Sequence, residues 1–123
     1  MKGSLATPVP TPNIFSEEQF AAALEEKAIV YSSGIKRVLL SHQPPVNTAV
    51  DRTASGRHVG SGAVRAYIEE TSPALCISGH IHESYGKDFL GSTLLVNPGP
   101  FCDGKFAIID LIENLVRVEF KAL

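Results

Sequence analysis

Two histidines one residue apart, His80 and His82, follow the apolar run Ala74–Ile77 and a single glycine, Gly79. A third histidine, His42, closes the run Val38–Leu40 and stands two residues before Pro44-Pro45. On a strand, side chains at i and i+2 share a face, with Cα atoms roughly 6.6 Å apart. That separation suits imidazoles gripping one divalent ion from two sides, or two ions about 3.5–4 Å apart. The plainer reading of an isolated His-x-His is a pair of exposed loop histidines. Three features count against it here. An apolar strand precedes the pair, Gly79 lets the backbone turn sharply, and His42 ends another strand beside a loop stiffened by two prolines. Strand carboxyl ends are where ligands gather in parallel sheets.

His58, in Ser55-Gly56-Arg57-His58-Val59-Gly60-Ser61, lies just before a predicted helix. Gly60, Ser61 and the helix N-terminus could offer backbone N–H groups to an anion, with Arg52 and Arg57 adding charge. The substrate-binding candidates are therefore His58, Arg57, Gly60 and Ser61; a solvated basic loop is the competing interpretation. Asn97, in Val96-Asn97-Pro98-Gly99-Pro100, reads as a turn former. Asp51, Asp88 and Asp103 read as loop carboxylates whose spacing marks no ligand set.

These residues need elements to hold them. Residues 1–15, with Pro8, Pro10 and Pro12, are expected to be extended. Ser16 and Gln19 form a capping box, Phe15 and Phe20 a hydrophobic staple, and Glu17 and Glu18 suit a helix start. Phe20, Leu24 and Tyr31 carry that helix from 17 to about 31, with Gly34 ending the region. Ser61 caps a second helix over about 62–71, stopped by Pro73. "RVLLS", "ALCIS" and "TLLV" read as strands buried on both faces. The segments around Glu113-Asn114 read as an antiparallel hairpin, with Val116, Val118 and Phe120 on its buried face. The order predicts an α/β fold with a mixed sheet, two flanking helices and a C-terminal hairpin. The helices would shield one face of the central strands.

Composition bounds the function. At 123 residues the chain is one domain, residues 1–123, or part of one. A net charge of −2 and a pI near 6.0 argue against a nucleic-acid module. No apolar run approaches membrane-spanning length and no signal core is evident, which predicts a cytoplasmic protein without membrane contact. Cys76 and Cys102 match no zinc or redox spacing and read as reduced thiols.

In order and spacing, "LLSHQPP", "HVGS", "SGHIHE" and "VNPG" resemble the C-terminal half of a calcineurin-like metallophosphoesterase. The resemblance covers nearly the whole chain. It implies an α/β sandwich and hydrolysis of phosphoesters, by a phosphatase or phosphodiesterase using two divalent metals such as manganese, iron, zinc or nickel. It also implies that His42 and His80 ligate one metal and His82 the other. The upstream family motifs D-x-H, G-D and G-N-H-[DE] do not occur in the sequence. The resemblance therefore implies half a domain, completed by an N-terminal half or a second copy covering an exposed sheet face. The competing interpretation is a non-catalytic binding module that keeps at most one metal.

Overall fold

The structure, a computed structural model, describes residues 16–26, 36–113 and 115–123. The expected extended segment 1–15, the Phe15 staple and the helical stretch through Tyr31 to Gly34 lie outside the described residues.

Helix α1 spans Glu17–Glu26. Its capping box forms as the sequence expects: Ser16 N–H donates to Gln19 Oε1 at 2.9 Å, and Gln19 N–H to Ser16 Oγ at 3.1 Å. Strand β1 (Val38–Leu40), helix α2 (Gly62–Thr71) and strand β2 (Leu75–Ile77) form a parallel crossover. Strand β4 (Thr93–Asn97) pairs parallel to β2, and β3 (Gly86–Leu90) pairs antiparallel to β4. The sheet order is β1-β2-β4-β3. β5 (Lys105–Ile112) and β6 (Leu115–Ala122) form a separate antiparallel hairpin. β3 has no counterpart in the sequence reading. "GKDFL" carries only two large apolar residues, and its pairing with β4 rather than its own pattern makes it a strand.

Alternation along the central strands sorts side chains to two faces. Leu39, Cys76 and Leu95 sit abreast and pack with Val64 and Ile68 of α2, with Val50, and with Leu24 of α1. On the other face Leu75, Leu94 and Val96 pack under Ala107, Ile109, Val116, Val118 and Phe120 of the hairpin. The second face therefore has a cover: the chain folds its own C-terminal hairpin over β2 and β4. The cover stops short of edge strand β1, where Val38 is 43% and Leu40 77% exposed. That corrects the expectation of a β1 buried on both faces. An edge strand has one neighbour, and the two-stranded hairpin is too narrow to reach it.

Among the described residues no helix is long and apolar enough to cross a membrane. Cys76 is fully buried, and burial pushes its thiol up to about 12, so it is inert at neutral pH. Cys102 is exposed and free. A thiol reagent is expected to titrate one group in the native protein and a second only in denaturant. Fast labelling of Cys76 in native buffer would contradict the packing of β2.

Candidate metal centre

The carboxyl ends of β1 and β2 lie side by side. Ser41 N–H donates to Ile77 O at 3.0 Å, and Gly79 N–H to His42 O at 3.2 Å. Those bonds carry the parallel pairing past the strand ends and bring His42 and His80 together. His42 Nε2 and His80 Nδ1 are 2.9 Å apart, with the rings edge to face at 4.8 Å between centroids.

His80 reaches this position at a conformational cost. Its φ is +64°, and Ile81 N–H donates back to Gly79 O at 2.7 Å, which makes His80 the centre of a tight three-residue turn. Positive-φ turns of that kind are strained and persist only when their surroundings hold them. Asn97 supplies much of the hold. It is 1% exposed; its Nδ2 donates to Ile81 O at 2.9 Å and its Oδ1 accepts from Gly99 N–H at 3.0 Å. The sequence reading missed this. Asn97 does terminate β4 in a turn, but its side chain also ties the histidine turn to the sheet. An amide directly after the apolar run Leu94-Leu95-Val96 was the available signal, since a buried amide needs partners.

His82 opens the short 3-10 helix His82–Ser84 and is exposed. The strand geometry assumed for His80 and His82 therefore does not hold: β2 ends at Ile77, and the turn at His80 places His82 on a separate element. Among the described residues no group of three or more His, Cys, Asp or Glu side chains gathers around one point. Two of the three histidines meet; the third does not complete a cluster.

The loop between β1 and α2 has a buried carboxylate at its centre. Asp51 is fully buried. Its Oδ1 accepts from Thr48 N–H at 3.0 Å and lies 2.5 Å from His58 Nδ1; its Oδ2 accepts from Asn47 N–H at 3.0 Å and Gly60 N–H at 2.9 Å. Nothing local in the sequence marks Asp51, because its partners arrive only once the loop folds back on itself.

The expected anion site at Gly60, Ser61 and the start of α2 is filled from within. Ser61 Oγ caps α2 by accepting from Val64 N–H at 3.2 Å. Ser61 N–H donates to Pro44 O at 2.7 Å, and Gly60 N–H is committed to Asp51. The carboxylate of Glu17 takes the remaining helix-start donors, accepting from Ser61 Oγ at 3.0 Å and from Gly62 N–H at 2.9 Å. A helix N-terminus attracts an anion, and here α1 provides one. Gly60 and Ser61 are thereby corrected from ligand donors to scaffold. Arg57 and His58 remain on the exposed part of the loop.

Two nitrogens that each bind one ion at about 2.0–2.1 Å lie roughly 2.9–3.4 Å apart, depending on the angle between them. The His42–His80 pair fits that spacing. Gln43, fully buried beside His42, has both amide atoms unpartnered among the described residues, and Ser78 Oγ is likewise unpartnered two residues before His80. Unsatisfied buried polar atoms are uncommon and concentrate where a ligand or water is held. The donor set therefore fits one edge of a metal site.

A sequence model of the metallophosphoesterases of the calcineurin superfamily matches residues 19–122. The chain is 37% identical over 122 residues to "Uncharacterized protein MJ1162" of Methanocaldococcus jannaschii, covering 95% of this chain and 53% of that protein. A crystal structure superposes with a TM-score of 0.62 at 28% identity, over 84% of this chain and 38% of the other. The crystal structure of TT1561 of Thermus thermophilus superposes with a TM-score of 0.50 at 20% identity, a likeness of fold, over 84% and 40%. The chain thus spans about half the length of the curated relative it matches, and less of the two structures. With the motifs, the mixed sheet and the match agreeing, the chain belongs to the metallophosphoesterases of the calcineurin superfamily.

Proposed function

We propose that this chain carries the histidine side of a metal-dependent phosphoesterase centre, with His42 and His80 on one divalent ion and His82 serving a second. The observation that carries this reading is the 2.9 Å approach of His42 Nε2 and His80 Nδ1 at neighbouring strand ends, with His80 at the centre of a positive-φ turn. When bound, a divalent ion would polarise the phosphoryl group and acidify a water at neutral pH. The chain's own residues orient and hold. Asn97 fixes the turn that aims His80, and Pro44-Pro45 limit the freedom of His42. The metal, among manganese, iron, zinc and nickel, and the phosphoester are open to assay.

One observation favours a second reading, a module that binds at most one ion without catalysis: no third ligand joins the pair among the described residues. Without a carboxylate between them, two divalent ions about 4 Å apart repel strongly. Zinc and manganese calorimetry separates the readings. One ion per chain, bound weakly by wild type and at least tenfold more weakly by His80→Ala, is expected; equal affinity in the two proteins would remove the site. Two tight ions per chain, with turnover of a phosphodiester by the chain alone, would refute the second reading. Phosphoester turnover is expected only when a partner supplies carboxylate ligands.

A further inference from the structure

We propose that His58 and Arg52 form a clamp for the phosphoryl oxygens of the substrate, with Asp51 as the residue that positions His58. The proposal rests on the phosphoesterase reading above.

Three backbone N–H groups also donate to the buried Asp51 carboxylate, so His58 is one of four partners rather than its sole support. The contact acts on His58 as well. The 2.5 Å contact fixes Nδ1 as the donor and turns the opposite ring edge outward, on a side chain 35% exposed. In the imidazolium form Nε2–H is then free to donate to an anion.

Arg52 shares that edge. Arg52 and His58 are partners in an antiparallel bridge, flanked by Thr53 N–H to Arg57 O at 2.8 Å and Val59 N–H to Asp51 O at 3.1 Å. Bridge partners point to the same side with Cβ atoms about 4.5–5.5 Å apart. Among the described residues the Arg52 guanidinium has no ion pair or hydrogen bond. A guanidinium and a ring N–H presented from one side of a ribbon can meet two oxygens of one phosphoryl group.

The loop carrying this pair is fastened to both histidine segments. Pro45 and Ser61 form a parallel bridge, which ties the segment that follows His42 to the segment that follows His58. Gly60 makes the approach possible: a Cβ there would stand 2.6 Å from Pro44 O. On the other side, Ser84 Oγ donates to Arg52 O and Ala54 N–H donates to Glu83 Oε2 at 3.3 Å, docking the loop on the His82–Ser84 helix. Glu83, on that short helix, has its carboxyl held below its usual range by its own backbone N–H and that of Ala54. Its charge is committed to the loop backbone.

The test uses the full chain with histidine side chains labelled with nitrogen-15, titrated first with zinc and then with phenylphosphonate. Phenylphosphonate is expected to shift the His58 ring signals. His58→Gln and Arg52→Gln are expected to weaken its binding roughly tenfold; Arg52→Gln is expected to melt as wild type does, whereas His58→Gln gives up a contact to the buried Asp51 and is compared where it is fully folded. In Asp51→Asn the His58 ring is expected to lose its fixed Nδ1–H signature and its response; if that variant does not fold, Arg52→Gln carries the test. A His58 ring unmoved by phenylphosphonate, or a His58→Gln chain that binds it as wild type does, overturns the clamp. Zinc reports separately on the underlying reading. If zinc leaves His42 and His80 unshifted, the metal centre fails, while a phosphonate response at His58 still stands as anion recognition.

Discussion

Gly60→Ala is expected to be among the most destabilising single substitutions in this chain, costing about 3 kcal/mol or more. The added Cβ would lie 2.6 Å from Pro44 O, 2.9 Å from Asp51 Cβ and 2.9 Å from the Pro45 carbonyl carbon. None of these is the far end of a flexible side chain. Relief requires moving the Pro44-Pro45 segment away from 60–61, which breaks the Ser61 N–H to Pro44 O bond and draws Gly60 N–H off Asp51. A buried carboxylate that loses a donor costs more than the donor's own bond. Gly56→Ala is the control. Its φ is +86°, but nothing lies within 4 Å of the new Cβ, so only backbone strain of about 1 kcal/mol is expected. Denaturant unfolding of both variants reads the difference. A Gly60→Ala protein no less stable than Gly56→Ala would mean the loop does not close against residues 44–45.

The loop is also where sequence and structure part company. Helix α2 was legible because its signals are local: Ser61 as cap, apolar residues at helical spacing, Pro73 as stop. The structure gives Gly62–Thr71. The hairpin was legible because alternation in Leu115–Ala122 repeats over enough residues to rise above chance. The His42 and His80 candidates were legible from their place after apolar runs. The missing parts all depend on pairing across distance. Asp51 gathers donors from residues 47, 48, 58 and 60, which no window displays together. The start of α2 looked open to a ligand because Glu17, forty-five residues away, could not be foreseen as its occupant. Strand β3 exists because β4 offers an edge. The conformation of His80, which decides that His82 leaves the strand, follows from clamps at Asn97 and His42 rather than from any property of Gly-His-Ile-His.

The isolated chain is expected to self-associate through the edge that the hairpin leaves bare. Leu40 is 77% exposed and Val38 43% on the outermost strand, beyond the hairpin that covers β2 and β4. Leu40 is the register partner of Ile77, and Ile77 opens into an apolar groove of about 300 Å³ lined also by Pro98, Phe101, Phe106 and Ile109. Phe101 at its rim is 72% exposed. Each such side chain, fully buried, contributes about 1.5–3 kcal/mol, against a typical stability of about 5–15 kcal/mol for a domain. Among the described residues β1 also has an unpaired backbone edge, which invites another strand. The proposed natural cover is the remainder of a metallophosphoesterase domain, since the chain spans 53% of its curated relative; in its absence a second copy is expected to take the place. Sedimentation should find dimers or larger species in wild type, and Leu40→Lys should shift the distribution to monomer. Hydrogen exchange at α2 and β4 should be unchanged in the variant, because their packing lies on residues other than Leu40. A wild-type chain that stays monomeric at high concentration and melts cooperatively at high temperature would show that the β1 edge needs no cover, and the case for a missing partner would lose its physical basis.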